Sequence, residues 1–416
     1  MPTLAASNRT QLAYQLEGVY PTNFGTLQVG NGKLVRITGE TLDYQVKTEQ
    51  SKEIRSDRQV TDTIPVGASA QGGFGFEMSY REFDWAIEGI AQDVYTVYGT
   101  NGVSAAIASV TLAAGTITAG VAPTGNDAFT ILTKGQWFTI KPAAGASQTV
   151  KDYFYSRAFR VSTTVAPSTT VITLDASTQI NTAIAGTSLP GSFVCSSVLT
   201  NGNTMKSYSL EVGHLDIAQF RQYTGMIASK MDIKIGVGSM ITGTFDFMGK
   251  MMAIAAVTGM GTPTASQGFT PANAVKGIFD IFEGGSSITT TTYIKSADIS
   301  LDNTLRAQEA VGVFGNAGVA AGTIKATGKL EVYFADAVMY NKFLNNTETS
   351  MSIPVLDTAG NGYVIYFPRM KYTSGKVNSS GLDQDDMLSM DFQALMDNVP
   401  TSATYQKTYA IYRVGA

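Results

Sequence analysis

Few side chains in this sequence could do covalent or metal chemistry. There is one histidine, His214, and one cysteine, Cys195. An imidazole can serve as a general base and a thiolate as a nucleophile. Neither residue has a sequence partner that would make it one, and no Gly-x-Ser-x-Gly elbow occurs. An ordinary loop histidine and a buried structural thiol are the plainer readings. One of each cannot build a Cys/His zinc site or an intrachain disulfide. Asp383, Asp385 and Asp386 in GLDQDDM carry charge that calcium would like, but the EF-hand spacing and its glycine are missing. A solvated turn is expected there. The GTLQVGNGK stretch ending at Lys33 is followed by Leu34 rather than Ser or Thr. It fits strand, Gly-Asn-Gly turn and strand better than a phosphate loop. Phe154, Tyr155, Arg157 and Phe159 in DYFYSRAFR could form a binding surface, with strand core as the duller reading. No convergent polar set has a recognisable spacing, so neither an enzyme nor a bound cofactor or metal is expected.

The framework around these groups is built of alternating segments. Ala70, Gly72, Phe74, Phe76, Met78 and Tyr80 share one face, and Gln71, Gly73, Gly75 and Glu77 the other. Ile324, Ala326, Gly328, Leu330, Val332 and Phe334 share a face in the same way, opposite Lys325, Thr327, Lys329 and Glu331. Strand side chains alternate, so each stretch predicts a sheet with one dry face. The period then lengthens. Phe83, Ile87 and Ile90, and later Val338, Phe343 and Leu344, predict a short helix lying on each sheet. Phe76–Ile90 aligns with Leu330–Leu344 without a gap, which predicts an internal duplication.

The rest of the chain can be placed around that repeat. Residues 34–47 read as one long strand or a bent pair. Residues 48–69 form a charged connector holding Glu49, Lys52, Glu53, Arg55, Asp57, Arg58 and Asp62. A connector of that length is usually functional, and an arm docking on a neighbouring subunit is expected. Residues 103–199 read as an inserted small β-domain, with DYFYSRAFR among its strands. Residues 206–213 form a strand, 214–223 a loop and 230–249 a hairpin. The turn-rich span 258–275 reads as a linker, and residues 276–416 repeat the order with 303–322 in place of the charged connector. The first repeat is therefore discontinuous, 1–102 plus 200–257.

Composition agrees with a β-dominated chain. The 416 residues are 44% hydrophobic and only 15% charged, with 42 glycines. The 29 basic and 33 acidic side chains leave a net charge of −4, so there is no global basic field for wrapping nucleic acid. No basic region followed by an apolar run opens the sequence, so no signal peptide is expected. The longest apolar run, Met251 to Val257, is too short to span a bilayer.

Three phrases carry a resemblance: SKEIRSDRQVTDTIPVG, GGFGFEMSYREFDWAIEG and FRQYTGMIASKMDIKIGVGSMITGTFDFMGK. In this order, with the duplication, they resemble the major tail protein, or tail tube protein, of long-tailed bacteriophages. The resemblance covers roughly residues 30–95 and 205–400. It implies a mainly β chain of two tandem tail-tube-type β-sandwich domains, each with a flanking helix, plus the inserted β-domain. It implies a structural virion protein, assembled in the host cytoplasm, that forms stacked rings around a channel for phage DNA. Its partners would be further copies of itself, the tail terminator, the tape measure and the distal tail proteins, with no membrane. Three duplicated chains would make a pseudo-sixfold ring; six is the alternative. The charged connector residues named above, together with Leu305, Arg306 and Glu309, would then lie in loops between subunits or rings. Glu77, Lys325, Lys329 and Glu331 are candidates for the lumen face, with nearby carboxylates such as Glu331 expected to offset the two lysines. The insert is expected to project outward.

Two rivals fit the same composition. An aromatic content of 10% allows a carbohydrate- or receptor-binding tail or surface protein. Alternating strands also suit an outer-membrane β-barrel, which the missing signal sequence opposes.

Overall fold

The alternation at residues 69–80 belongs to one long strand, Thr63–Glu77, that buries Ala70, Phe74 and Phe76. The computed structural model describes residues 5–20, 31–57, 59–96, 106–119, 129–142, 146–155, 157–175, 178, 180–181, 188–195, 197–274, 281–288, 293–379, 381–399, 404 and 406–415. Among these residues the chain is mainly β, and 18 strands join in one hydrogen-bonded network.

The order of pairing occurs twice. In the first half, Asp43–Gln50 pairs with Thr63–Glu77, that strand with Thr242–Gly249, and that one with the far part of Gln219–Gly236. In the second half, Ile294–Asp302 pairs with Lys325–Tyr333, that strand with Met387–Ala394, and that one with the far part of Gly362–Asn378. Register recurs as well. Phe74 opposite Phe245 is matched by Gly328 opposite Phe392, and Phe76 opposite Gly243 by Leu330 opposite Met390. On the other side, Glu40 opposite Phe74 is matched by Ile299 opposite Gly328.

Each long strand also serves a second layer. The near part of Gln219–Gly236 pairs with Ser207–His214 and Met251–Ala255, and Thr10–Leu16 extends that layer. The near part of Gly362–Asn378 pairs with Thr349–Leu356 and Ala410–Val414. Register shifts at Ala228/Lys230 and Tyr372/Ser374 lie along the two long strands, each in the pairing with its far-layer neighbour. Such bulges bend a strand, and here they help one strand serve two layers.

Helix α1, Asp84–Ala91, lies on the first half and buries Trp85, Ile87 and Ile90. It stops at Gln92, a left-handed residue whose N–H donates to the Glu88 carbonyl. The Trp85 ring stacks on Tyr14 of one layer at 4.0 Å and faces Phe247 of the other at 5.8 Å. The second-half helix, Val338–Leu344, differs from expectation. Its buried residue is Met339, and Phe343 packs over Gly375, while Val338 and Leu344 are exposed. The helix stands where expected and Phe343 packs on the sheet, but Met339 rather than Val338 or Leu344 is buried beside it.

A glycine matters at two core positions. A Cβ on Gly243 would lie 2.5 Å from the Phe76 ring, and one on Gly328 would lie 2.4 Å from Phe392. Each aromatic ring fills the space left by the glycine opposite it. One apolar cluster runs without a break from Leu12 through Phe245 and Ile299 to Ile411, so both halves share a core.

The connector expected at 48–69 is strand at both ends. Asp43–Gln50 and the start of Thr63–Glu77 form an exposed hairpin, and its turn is closed by the Ser51 N–H donating to the Asp62 carbonyl at 3.0 Å. The strand read at 34–47 thus runs on to Gln50, and charge hid that extension because neither face of the arm is buried. The expected 214–223 loop shrinks to a turn, since the next strand starts at Gln219. A strand the sequence did not suggest, Thr10–Leu16, fills part of residues 1–29, and most of GTLQVGNGK lies outside the described residues. The 258–274 span has few regular elements but is firmly anchored. Gly32 and Leu34 donate to the carbonyls of Met260 and Thr264, and Met260 is fully buried.

Six strands between residues 106 and 195 form their own sheet around a separate apolar cluster. DYFYSRAFR is not a strand pair: Gln148–Tyr155 is helix α2, and only Phe159–Arg160 is strand. Phe154 and Phe159 are core, and Arg157 lies over the Tyr153 ring. Cys195 ends the last strand of this sheet. Ser197–Thr200 belongs instead to the main network, pairing with Ala410–Arg413. The insert rests on the second half through Trp137 against Phe282 and Arg160 donating to the Tyr366 hydroxyl at 2.8 Å.

Phe245 is fully buried, with ring centroids 4.6 Å from Phe76 and 5.5 Å from Phe74. Phe245→Ala should therefore cost about 3–5 kcal/mol, read as a fall in the denaturant midpoint at unchanged slope.

Candidate assembly surface

The two halves meet edge to edge. Lys230–Gly236 pairs antiparallel with Ser296–Asp302, with Lys230 opposite Asp302, Met231 opposite Leu301 and Lys234 opposite Asp298. Met231, Ile233 and Ile235 turn into the common core with Ala297, Ile299 and Leu301. The alternate residues point outward. Eight strand segments thus follow in sequence across one layer, beginning with Asp43–Gln50 and ending with the Lys371–Asn378 portion of the last long strand. Among the described residues, those two terminal segments pair with a strand on one side only.

The outward face of this layer is a charge mosaic. Lys325 lies opposite Asp302, and Lys329 lies between Asp298 and Asp391 on the two neighbouring strands. Glu77 lies opposite Thr242. Glu331 itself sits between Ser296 and Ser389 and approaches Lys295 at 3.9 Å. The carboxylates directly across from the two lysines are Asp298, Asp302 and Asp391. The alternation of charge in KMDIKIG was the signal for this face, but only the register of the neighbouring strands shows which charges meet.

Nearby, Lys230 donates to Asp232 at 2.7 Å, and that bond raises the pKa of the ammonium. Asp246, opposite Lys230, has its pKa raised by burial first and then by the Asp232 charge, against the pull of Lys230.

The connector residues are placed on the hairpin arm. Glu49 is on its first strand, Lys52, Glu53, Arg55 and Asp57 are in the exposed tip, and Asp62 precedes its second strand. Arg58 lies outside the described residues. Arg55 pairs with Asp57 at 2.7 Å, and the Thr61 hydroxyl donates to Glu53 at 3.1 Å. Val46, Ile54, Val60, Ile64 and Val66 are all exposed along it.

In the second half, Leu305 leads into a smaller hairpin in which Arg306–Gln308 pairs with Gly318–Ala320. Its loop folds back onto the first half. The Asn316 amide donates to the Gly249 carbonyl at 2.8 Å, and Glu309 lines a groove with Lys47 and Glu49 at the base of the arm. Glu49 and Glu309 therefore line the same groove.

A second contact crosses the halves through α1. Asp84 accepts from the Tyr363 hydroxyl at 2.6 Å and pairs with Arg413 on the Ala410–Val414 strand.

The described residues hold no group of three or more His, Cys, Asp or Glu side chains placed for a metal. Asp383, Asp385 and Asp386 are exposed in a turn, and His214 ends its strand. No helix among the described residues is long and apolar enough to cross a membrane.

A doubled pairing order with open edges at both ends is the geometry of a part made to join others. A family model described as phage tail tube protein matches residues 7–394. The chain belongs to the phage tail tube protein family. A comparison with curated proteins returned no match. Membership makes the protein a structural component of the virion tail.

The Asp246 carboxylate tests the mosaic. Its native pKa is raised, so the native state holds the proton more tightly than the unfolded chain does, and stability rises as pH falls through that pKa. Asp246→Asn should melt at or above the wild-type temperature at pH 7. That advantage should vanish near pH 4, as thermal scans at the two pH values would show.

Proposed function

We propose that three copies of this chain close into a ring whose inner wall is the eight-segment layer repeated three times, and that such rings stack into the tail tube. The observation that carries this reading is the junction of Lys230–Gly236 with Ser296–Asp302, which joins opposite edges of two similar halves, head to tail. If the halves are a duplicated tail-tube domain, one such contact is made inside the chain. The same contact remains unmade at Ile37–Asp43 and Lys371–Asn378. An open edge presents unpaired N–H and C=O groups, and closing a circle removes every edge. A head-to-tail contact that closes gives a ring, and ring faces can then stack.

Size supports the reading. Twenty-four strands at about 4.8 Å spacing give a circumference of roughly 115 Å, hence a bore about 37 Å across between backbones. That bore is the channel through which phage DNA would pass. Its wall would be the mosaic face, where carboxylates opposite Lys325 and Lys329 weaken any grip on phosphate. The hairpin arm, charged at its tip and apolar along its length, would reach the neighbouring chain or the next ring. The tail terminator, tape measure and distal tail proteins would meet the ends and lumen of the stack, after assembly in the host cytoplasm. Ring faces and lumen leave no role for an active site, so we read the protein as structural and not enzymatic.

Electron micrographs of the purified protein should contain rings or tubes with threefold averages. A folded chain that stays monomeric at all concentrations would defeat the proposal. Replacing residues 51–62 by a two-residue turn should preserve melting temperature but abolish tubes or rings; unaltered tubes would remove the arm from assembly. Replacing residues 106–195 by a short bridge, leaving Ser197–Thr200 in place, should preserve rings. Loss of rings in a chain that still folds would give the insert a part in assembly.

A further inference from the structure

The register inside the chain specifies the register between chains. We infer that Lys371–Asn378 of one copy pairs antiparallel with Ile37–Asp43 of a second copy, with Lys371 opposite Asp43 and Tyr372 opposite Leu42. This rests on the ring proposed above but is narrower, since a ring could close with other strands or another offset.

Pairings within the chain fix this register. Asp43 opposite Gln71 corresponds to Asp302 opposite Lys325, so Asp43 takes the place of Asp302. Phe245 opposite Met231 corresponds to Phe392 opposite Tyr372, so Tyr372 takes the place of Met231 and Lys371 that of Lys230. Inside the chain, Lys230 faces Asp302 and Met231 faces Leu301. The transferred pairs are Lys371 with Asp43 and Tyr372 with Leu42. A lysine again meets an aspartate on the outward face, and two buried apolar residues again meet on the core side.

The free edge at Leu42 is not bare. Its N–H donates to Glu40 at 3.0 Å, and its carbonyl accepts from Arg221 at 3.1 Å and from the Tyr223 hydroxyl at 3.0 Å. These side chains occupy the backbone groups that the incoming strand would use. Natural sheets blunt exposed edges in this way. Glu40 must release the Leu42 N–H when the second copy docks.

A second observation comes from the helices. Asp84 of α1 touches the Ala410–Val414 strand of the other half through Arg413. The ungapped alignment puts Val338 at the position of Asp84, and Met251–Ala255 holds the place of Ala410–Val414 beside the other long strand. Val338 is 57% exposed and Ile254 is 65% exposed. An ionic contact within the chain is therefore matched by two exposed apolar groups on the surfaces that the inferred register brings together.

The test is a cysteine ladder in a Cys195→Ser background. Lys230 and Asp302 flank the Met231–Leu301 pair, and a directly opposite pair of this kind brings Cα atoms to about 4.5–5.5 Å, within disulfide range. Asp43→Cys with Lys371→Cys should, on oxidation of assembled rings, link most chains into a covalent species of three. Asp43→Cys with Lys376→Cys should not. A charge exchange is the second arm. Asp43→Lys alone and Lys371→Asp alone should each raise the concentration for half-assembly by roughly tenfold, and the double variant should recover it. Rings that form normally but link through Lys376→Cys, or not through Lys371→Cys, would overturn the register and leave the ring standing. Folded chains that never form rings would overturn both.

Discussion

The structure depends on a backbone requirement. Every N–H and C=O along a strand needs a partner, and a flat sheet always leaves two rows without one. Here one row is satisfied inside the chain, where Lys230–Gly236 meets Ser296–Asp302. This pairing makes two halves into one layer and lets a single apolar cluster run through both. The outer rows, along Asp43–Gln50 and Lys371–Asn378, have no strand beside them among the described residues. The long bulged strands keep the layer from ending there, because each also holds a second layer behind the first.

The core makes the layer stiff enough to present those rows. Phe74, Phe76, Phe83 and Phe245 form a cluster with centroids between 4.6 and 6.4 Å, and Trp85 ties it to Tyr14 on the opposite layer. Aromatic pairs at such spacing contribute beyond the area they bury. Gly243 and Gly328 are part of the same packing, since each gives up its side chain so that the opposing ring can lie on the backbone. The outward face carries the charge, where water can reach it and neighbouring strands can balance it.

Much of this was legible in the sequence, for a physical reason. Strands with one dry face must alternate, so Thr63–Glu77 and Lys325–Tyr333 announced themselves, as did the helix after each. The arm was only partly legible: Asp43–Lys47 falls in the stretch read as strand, but its end at Thr48–Gln50 and the start of the return strand have no buried face and so no alternation to read. Helix α2 was missed because Tyr153, Phe154 and Tyr155 suit a strand by type, and only tertiary packing places Phe154 inside. The lumen candidates Lys325 and Lys329 could be named from their strand, but their partners Asp302, Asp298 and Asp391 lie on other strands. No local pattern gives cross-strand register. The open edges were missed for the same reason: an edge is a property of the whole sheet.

The strap of residues 258–274 between the halves has a mechanical consequence. The ring of three chains proposed above would have two kinds of seam. One is spanned by the polypeptide itself, so a strand that peels away there stays at high effective concentration and returns. The other is held only by side chains and backbone hydrogen bonds between separate molecules. Under pressure from within, a tube of these rings should split along three lines rather than six, and each fragment that leaves should be a whole chain.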